Sequence, residues 1–236
     1  MTDRTEGSTT RSDGTEVICY SRTTRTLYLE VCKAACSSIK AALLTADGVE
    51  IKNDGFVHSN FYFADHSRMT LHPRHVFTFV RDPLDRLLSA FRQKIRTGLG
   101  KRLNCPLEKN ATADEWVVWV TSQPPDIANK HWRPQTIVIN NQAERWGRPQ
   151  FIGKFESLDR DWKRLQQKTG LPDLPHLNPT PREPMELSQP STEAVQRYYA
   201  ADYERFGYEF TLPESVECGD TVGDDGISSN APARSL

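Results

Sequence analysis

Two segments of this chain, about fifty residues apart, each run from an apolar stretch through a basic loop into a helical pattern. That arrangement restricts the fold more than any bulk property does. The first segment is Leu27 to Lys40, LYLEVCKAACSSIK, and the second is His75 to Phe91, HVFTFVRDPLDRLLSAF. Val76 to Val80 is β-branched and aromatic, as a buried strand requires. Asp82-Pro83 follows as an N-cap with proline at the first helical position. Leu84, Leu87, Leu88, Phe91 and Ile95 then recur at the spacing of one buried helix face, which leaves Ser89, Arg92, Gln93 and Arg96 off the stripe. In the first segment, Leu27 to Val31 suits a short buried strand, and Ser37 to Leu44 reads as a helix capped by Ser37 or Ser38.

Further elements fit the same alternation. Gly55 to His58 and Phe151 to Phe155 read as strands. Thr112 to Glu115 is a capping box before an apolar run. Ser157 caps a helix ending near Lys168, stopped by Gly170. Ser191 opens a last helix reaching about Tyr203, after a proline-dense crossing loop from Leu171 to Pro190. Strands alternating with helices predict an α/β fold, a single domain with a mainly parallel central sheet flanked by helices. Residues 25–210 form the expected domain. Residues 1–24 and 211–236 are polar enough to be read as disordered.

Charge points to the ligand. The chain as a whole carries −1, which gives no general nucleic-acid signature. Between Arg74 and Arg102, however, stand eight Lys/Arg and two acids, a patch that favours an anionic ligand or else is a solvated basic helix face. The five cysteines (Cys19, Cys32, Cys36, Cys105, Cys218) have neither metal nor framework spacing, so reduced thiols are expected and no metal is. No apolar run has the length of a membrane span and the N-terminus has no apolar signal core. A cytoplasmic location follows if the chain is complete.

In the first loop, Ala34 and Ala35 allow close backbone approach, and the following helix N-terminus offers unpaired N–H groups to an anion. Cys36 belongs to the same loop, and Ser37 and Ser38 add hydroxyl donors, with Lys33 beside them. The glycines of the nucleotide-kinase phosphate loop are absent. In the second segment Arg81 stands at a strand's C-terminal edge. A charge there is costly unless solvated or paired, and ligands of open α/β sheets bind at that edge.

With these motifs the chain resembles the sulfotransferases that use 3′-phosphoadenosine 5′-phosphosulfate (PAPS), in particular the carbohydrate O-sulfotransferases acting on chondroitin, dermatan and related glycans. Five motifs carry the resemblance, in order: Cys32 to Lys40; Arg81 to Phe91; His131-Trp132-Arg133-Pro134; Gly153 to Leu158 with Asp161; and Asp202 to Tyr208. That branch usually has proline where Cys32 stands and glycine where Ala35 stands, and a positive φ at Ala35 would be strained. The resemblance implies a P-loop-like sulfotransferase fold and sulfuryl transfer from PAPS to a hydroxyl, most simply on a glycan. Lys33 would stabilise the leaving phosphate, Ser37 and Ser38 with nearby N–H groups would hold the 5′ side, and Arg81 and Ser89 the 3′-phosphate. An excised Golgi-lumen catalytic domain would also fit the missing anchor.

A base is needed for the acceptor hydroxyl. His58 comes first, because the related uronosyl 2-O-sulfotransferases carry their base histidine in a similar place, and His131 is its rival. Glu156 is a third candidate. Lys154 and Arg133 would meet an anionic acceptor or pair with Glu156, and Trp132 would be a sugar platform. His66, His72, His75 and His176 read as loop or helix residues. The competing functions are transfer to a small alcohol, phenol or protein tyrosine; a kinase-like phosphotransfer, which lacks its lysine and magnesium carboxylates; and non-catalytic nucleotide binding.

Overall fold

Alternating side chains along the third strand decide the layering. In β3 (His75–Val80), Phe77 and Phe79 point to one side and Val76 and Val80 to the other, and all four are buried. Both faces are therefore covered, as parallel sheets require. The structure, a computed structural model, describes residues 18–52, 54–59, 71–175, 177 and 185–210. Within them lies a four-stranded sheet in the order β1 (Cys19–Ser21), β2 (Thr26–Tyr28), β3, β4 (Phe151–Lys154). β2, β3 and β4 are parallel, and β1 closes the edge antiparallel to β2. The expected α/β class with a mainly parallel sheet holds.

On one face, α1 (Cys36–Ala46), α2 (Asp54–Ser59) and α6 (Leu158–Thr169) bury Ile39, Leu43, Val57, Trp162 and Leu165 against Tyr28, Phe77 and Phe79. On the other, α5 (Gln135–Trp146) and α8 (Ala200–Phe206) cover Leu27, Leu29, Val76 and Val80 with Val138, Ile139 and Phe206. A third cluster joins α3 (Pro83–Ala90), α4 (Ala113–Thr121) and α7 (Gln189–Tyr198) around Trp116, Trp132 and Tyr199. Gly153 is required by the sheet itself: a Cβ there would lie 2.3 Å from Phe79 Cε1.

Several local expectations need correction. Gly55 to His58 lies within helix α2, not a strand, because a short apolar run has no period long enough to separate the two states. Cys19–Ser21 is a strand although it falls in the segment read as a disordered leader; a three-residue edge strand leaves almost no pattern. Neither Ser37 nor Ser38 caps α1, whose N-cap is Ala35 in the left-handed region. The last helix is two: Ser188 caps α7, which stops at Tyr198, and α8 begins at Ala200. Ser157 precedes α6, but its Oγ donates to Asp161 Oδ2 rather than capping the main chain. Asp82 caps α3 through Asp85 N, and Thr112 and Glu115 form the capping box of α4. His66, His176 and parts of the 171–190 loop lie outside the described residues.

Candidate active site

The chain leaves β2 and turns back into α1 through two left-handed residues, Lys33 at φ 71° and Ala35 at φ 61°. Ala35 thus holds the conformation for which glycine is the unstrained choice. No side chain caps α1 and no acid sits in its first turn, so its leading N–H groups and positive dipole end are directed at the loop. Ser37 Oγ lies 3.0 Å from His58 Nε2, and the buried Ser38 Oγ accepts Leu177 N at 3.2 Å. Each serine therefore has another partner in place of the expected cap. Cys36 opens the helix at intermediate exposure, and Ala34 is fully buried.

Lys33 donates from Nζ to Gln93 Oε1 at 2.7 Å. Gln93 stands on a π-helical turn, Phe91–Ile95, that continues α3. Burial, with the nearby charges of Arg81 and Lys94, pulls the Lys33 ammonium down to about 8. Arg81, buried at the end of β3, is held on every side. Its Nη1 donates to Lys33 O at 3.1 Å, its Nε and Nη2 to Asp85 Oδ2 at 3.0 and 2.8 Å, and its guanidinium lies 4.2 Å over the Phe155 ring. Gln135 fixes its main chain from both sides, accepting Arg81 N at 2.9 Å and donating to Arg81 O at 2.8 Å. Ser89 is buried on α3 and makes no hydrogen bond with Arg81.

The acceptor-side candidates separate sharply. His131 Nδ1 is 2.7 Å from Asn129 Oδ1, and the same oxygen accepts the His131 main-chain N–H at 3.1 Å. An atom that accepts from the main chain is an acceptor toward the ring too, so Nδ1 carries the proton and Nε2 the lone pair. Burial, reinforced by the charges of Lys94, Lys130 and Lys33, holds this imidazole well below its ordinary value, in the neutral form. His58, in contrast, is an exposed residue of α2 whose Nε2 meets Ser37.

Glu156 Oε1 accepts Asp82 N at 2.8 Å and its Oε2 accepts Tyr208 OH at 2.9 Å, so the carboxylate ties the end of β4 to the start of α3. Lys154 donates to Gly207 O, and Arg133 to Ala128 O; neither pairs with Glu156. Trp132 is no sugar platform. It is 1% exposed, with ring centroids 5.0 Å from Trp116 and 5.5 Å from Trp119. His72 and His75 lie at the opposite, N-terminal end of β3.

Sequence reasoning missed Arg86, Gln93, Asn129, Gln135 and the Glu30–Lys40 pair. Arg86 is fully buried and donates to three main-chain carbonyls: Cys32 at 2.9 Å, Lys130 at 3.0 Å and Arg133 at 3.0 Å. Lys40 Nζ meets Glu30 Oε1 at 2.6 Å, with the thiols of Cys19 and Cys32 at 4.0 and 3.8 Å from the same carboxylate. A lone acid between Leu29 and Val31 in a buried run was the available signal, since such a charge must find a cation. The described cysteines are free thiols. Among the described residues no cluster of three or more His, Cys, Asp or Glu could hold a metal, and no helix is long and apolar enough to cross a membrane.

Residues 17–209 match the Sulfotransferase family, and the chain belongs to it. Its relatives sharpen the class. The chain is similar to carbohydrate sulfotransferase 14 of Mus musculus, 26% identical over 221 residues that cover 81% of this chain and 56% of the relative. Carbohydrate sulfotransferase 14 of Homo sapiens gives the same figures. Carbohydrate sulfotransferase 9 of Homo sapiens is 26% identical over 178 residues, 62% of this chain and 39% of the relative. The chain thus spans little more than half the length of the first of these relatives. No solved structure matches it.

Proposed function

We propose that this protein transfers the sulfuryl group of PAPS to a hydroxyl of a carbohydrate. The observation that carries this reading is the pairing, at the C-terminal edge of the sheet, of a half-buried lysine with an uncapped helix start. Lys33, the free N–H groups of α1 and the guanidinium of Arg81 meet within one loop, an arrangement suited to a nucleotide's phosphates. Membership of the family and the carbohydrate sulfotransferases among the relatives support the same conclusion.

The donor supplies an activated sulfuryl group on a phosphate oxygen. Loop 33–38 and the α1 N-terminus would hold its 5′ side, with Arg81 and Ser89 toward the 3′-phosphate. The Lys33 ammonium, released from Gln93, would stabilise charge on the departing oxygen. A preorganised donor in that place contributes about 3–4 kcal/mol in other enzymes. His131 is the base in this reading: its Nε2 lone pair takes the acceptor proton while Asn129 holds the ring tautomer. His58, on α2 with its Nε2 3.0 Å from Ser37 Oγ, would stand on the donor side instead.

The test is transfer of label from radiolabelled PAPS to a panel containing chondroitin, dermatan, a phenol and a tyrosine peptide, with binding of 3′-phosphoadenosine 5′-phosphate followed by calorimetry. Label on a glycan is expected. Label only on the phenol or peptide would move the substrate class. Nucleotide binding with no transfer to any acceptor would leave a non-catalytic binding protein.

A further inference from the structure

Arg86 lies outside the roles assigned so far, and its contacts have an unusual distribution. It has no exposed surface, and its charge is permanent. The three hydrogen bonds of its guanidinium go to main-chain oxygens in two loops distant in sequence: Cys32 on the donor side, and Lys130 and Arg133 on the acceptor side. The carbonyl of Cys32 belongs to the peptide plane that carries the nitrogen of Lys33. The carbonyl of Lys130 belongs to the plane that carries the nitrogen of His131. A peptide unit is rigid and planar, so gripping its oxygen fixes the Cα that follows. Between Lys130 and Arg133, the carbonyl of Trp132 is held as well, by the hydroxyl of the buried Tyr199 at 2.5 Å.

We propose that Arg86 is a positioning residue for sulfuryl transfer, its planar fork setting the separation between Lys33 on the leaving-group side and His131 on the acceptor side. This rests on the reading above in which those two residues serve one reaction. Arg86 itself touches no reacting atom. In-line transfer needs the cation behind the departing oxygen and the base beside the incoming one at a fixed spacing, and displacement by about 1 Å can cost about 100-fold in rate. The fork is specific to arginine. Three donors lie in one plane, and a lysine reaching the same place offers a compact tetrahedral ammonium that cannot address two separate loops in that geometry.

The experiment is a cycle of Arg86→Lys and His131→Ala, read by single-turnover transfer to whichever glycan takes up most label in the panel, with calorimetry of 3′-phosphoadenosine 5′-phosphate on each variant. Arg86→Lys should bind the nucleotide within about threefold of the parent and transfer about 100-fold more slowly. In the His131→Ala background the same change should cost at least about tenfold less, because one of the two groups whose spacing it sets is gone. An undiminished 100-fold effect in both backgrounds overturns the proposal. So does a loss of rate that follows a matching loss of nucleotide binding, the mark of a merely structural role. Failure of the functional reading looks different: His131→Ala then keeps its rate, whereas failure of the clamp leaves His131→Ala slow and Arg86→Lys fast. If Arg86→Lys does not fold, Tyr199→Phe decides, since it removes one hydroxyl from the same loop and keeps the ring. It should slow transfer about tenfold when His131 is present and not when it is absent; an unchanged rate in the His131 protein overturns the proposal.

Discussion

In the proposed reaction Lys33 and His131 need opposite protonation states, and their surroundings push both in the same direction. Lys33 must be charged to act on a departing oxygen, yet burial and the cations Arg81 and Lys94 bring it down to about 8. His131 must be neutral to act as a base, and burial with Lys94, Lys130 and Lys33 depresses it below the ordinary imidazole value. The signs give the profile. Both groups are in their working forms between the lowered histidine value and about 8, so kcat/KM should stay level through neutral pH and fall as pH rises through about 8, where Lys33 loses its proton. Lys33→Arg should remove that alkaline limb, at whatever rate it retains, because a guanidinium does not titrate there. An ascending limb centred at the ordinary value of 6.5 would exclude His131 as the base. The pair was only half visible in the sequence. Lys33 announces itself through its loop motif, whereas the tautomer of His131 depends on an oxygen of Asn129 that no spacing rule singles out.

At the scale of elements, junctions built from neighbouring residues were legible and those built across the chain were not. Asp82-Pro83 caps α3 and Thr112 with Glu115 caps α4, as their local patterns require. Helix α5 went unread because Pro134 at its start makes no side-chain cap. Its leading N–H groups are taken by a residue 66 and 67 positions away: Asp202 accepts Gln135 N and Thr136 N, each at 2.7 Å. This carboxylate is fully buried, and Gln135 in turn brackets the main chain of Arg81. Asp202→Ala should therefore destabilise the fold by about 2 kcal/mol, a lost cap combined with stranded buried donors. Urea unfolding would measure it. A change below about 0.5 kcal/mol, the range of an ordinary surface substitution, would show that the cap contributes little.

For the molecule as a whole, the first core layer is pinned by one buried ion pair. Glu30, just beyond β2, and Lys40, on α1, join strand and helix behind the donor loop. Burial pushes the Glu30 carboxyl up, but Lys40 and Lys130 together outweigh it and hold the group well below the usual carboxylate range. Because the folded value is the lower one, this contribution to stability is present above the ordinary value of 4.5 and disappears as pH falls below it. Glu30→Gln removes the carboxylate that Lys40 meets in the interior and should cost about 3–5 kcal/mol at neutral pH, with the cost shrinking under acid. Unfolding midpoints for both proteins across the acid range would show it, and equal stability at neutral pH would refute it. The main-chain character of the Arg86 contacts has a consequence of another kind, for how such a sequence can drift. Every oxygen the guanidinium holds is one that all amino acids possess, proline included. Positions 32, 130 and 133 can exchange side chains without loosening the joint, because the joint uses none of those side chains. Position 86 has no such freedom, so variation is tolerated on one side of the contact and forbidden on the other.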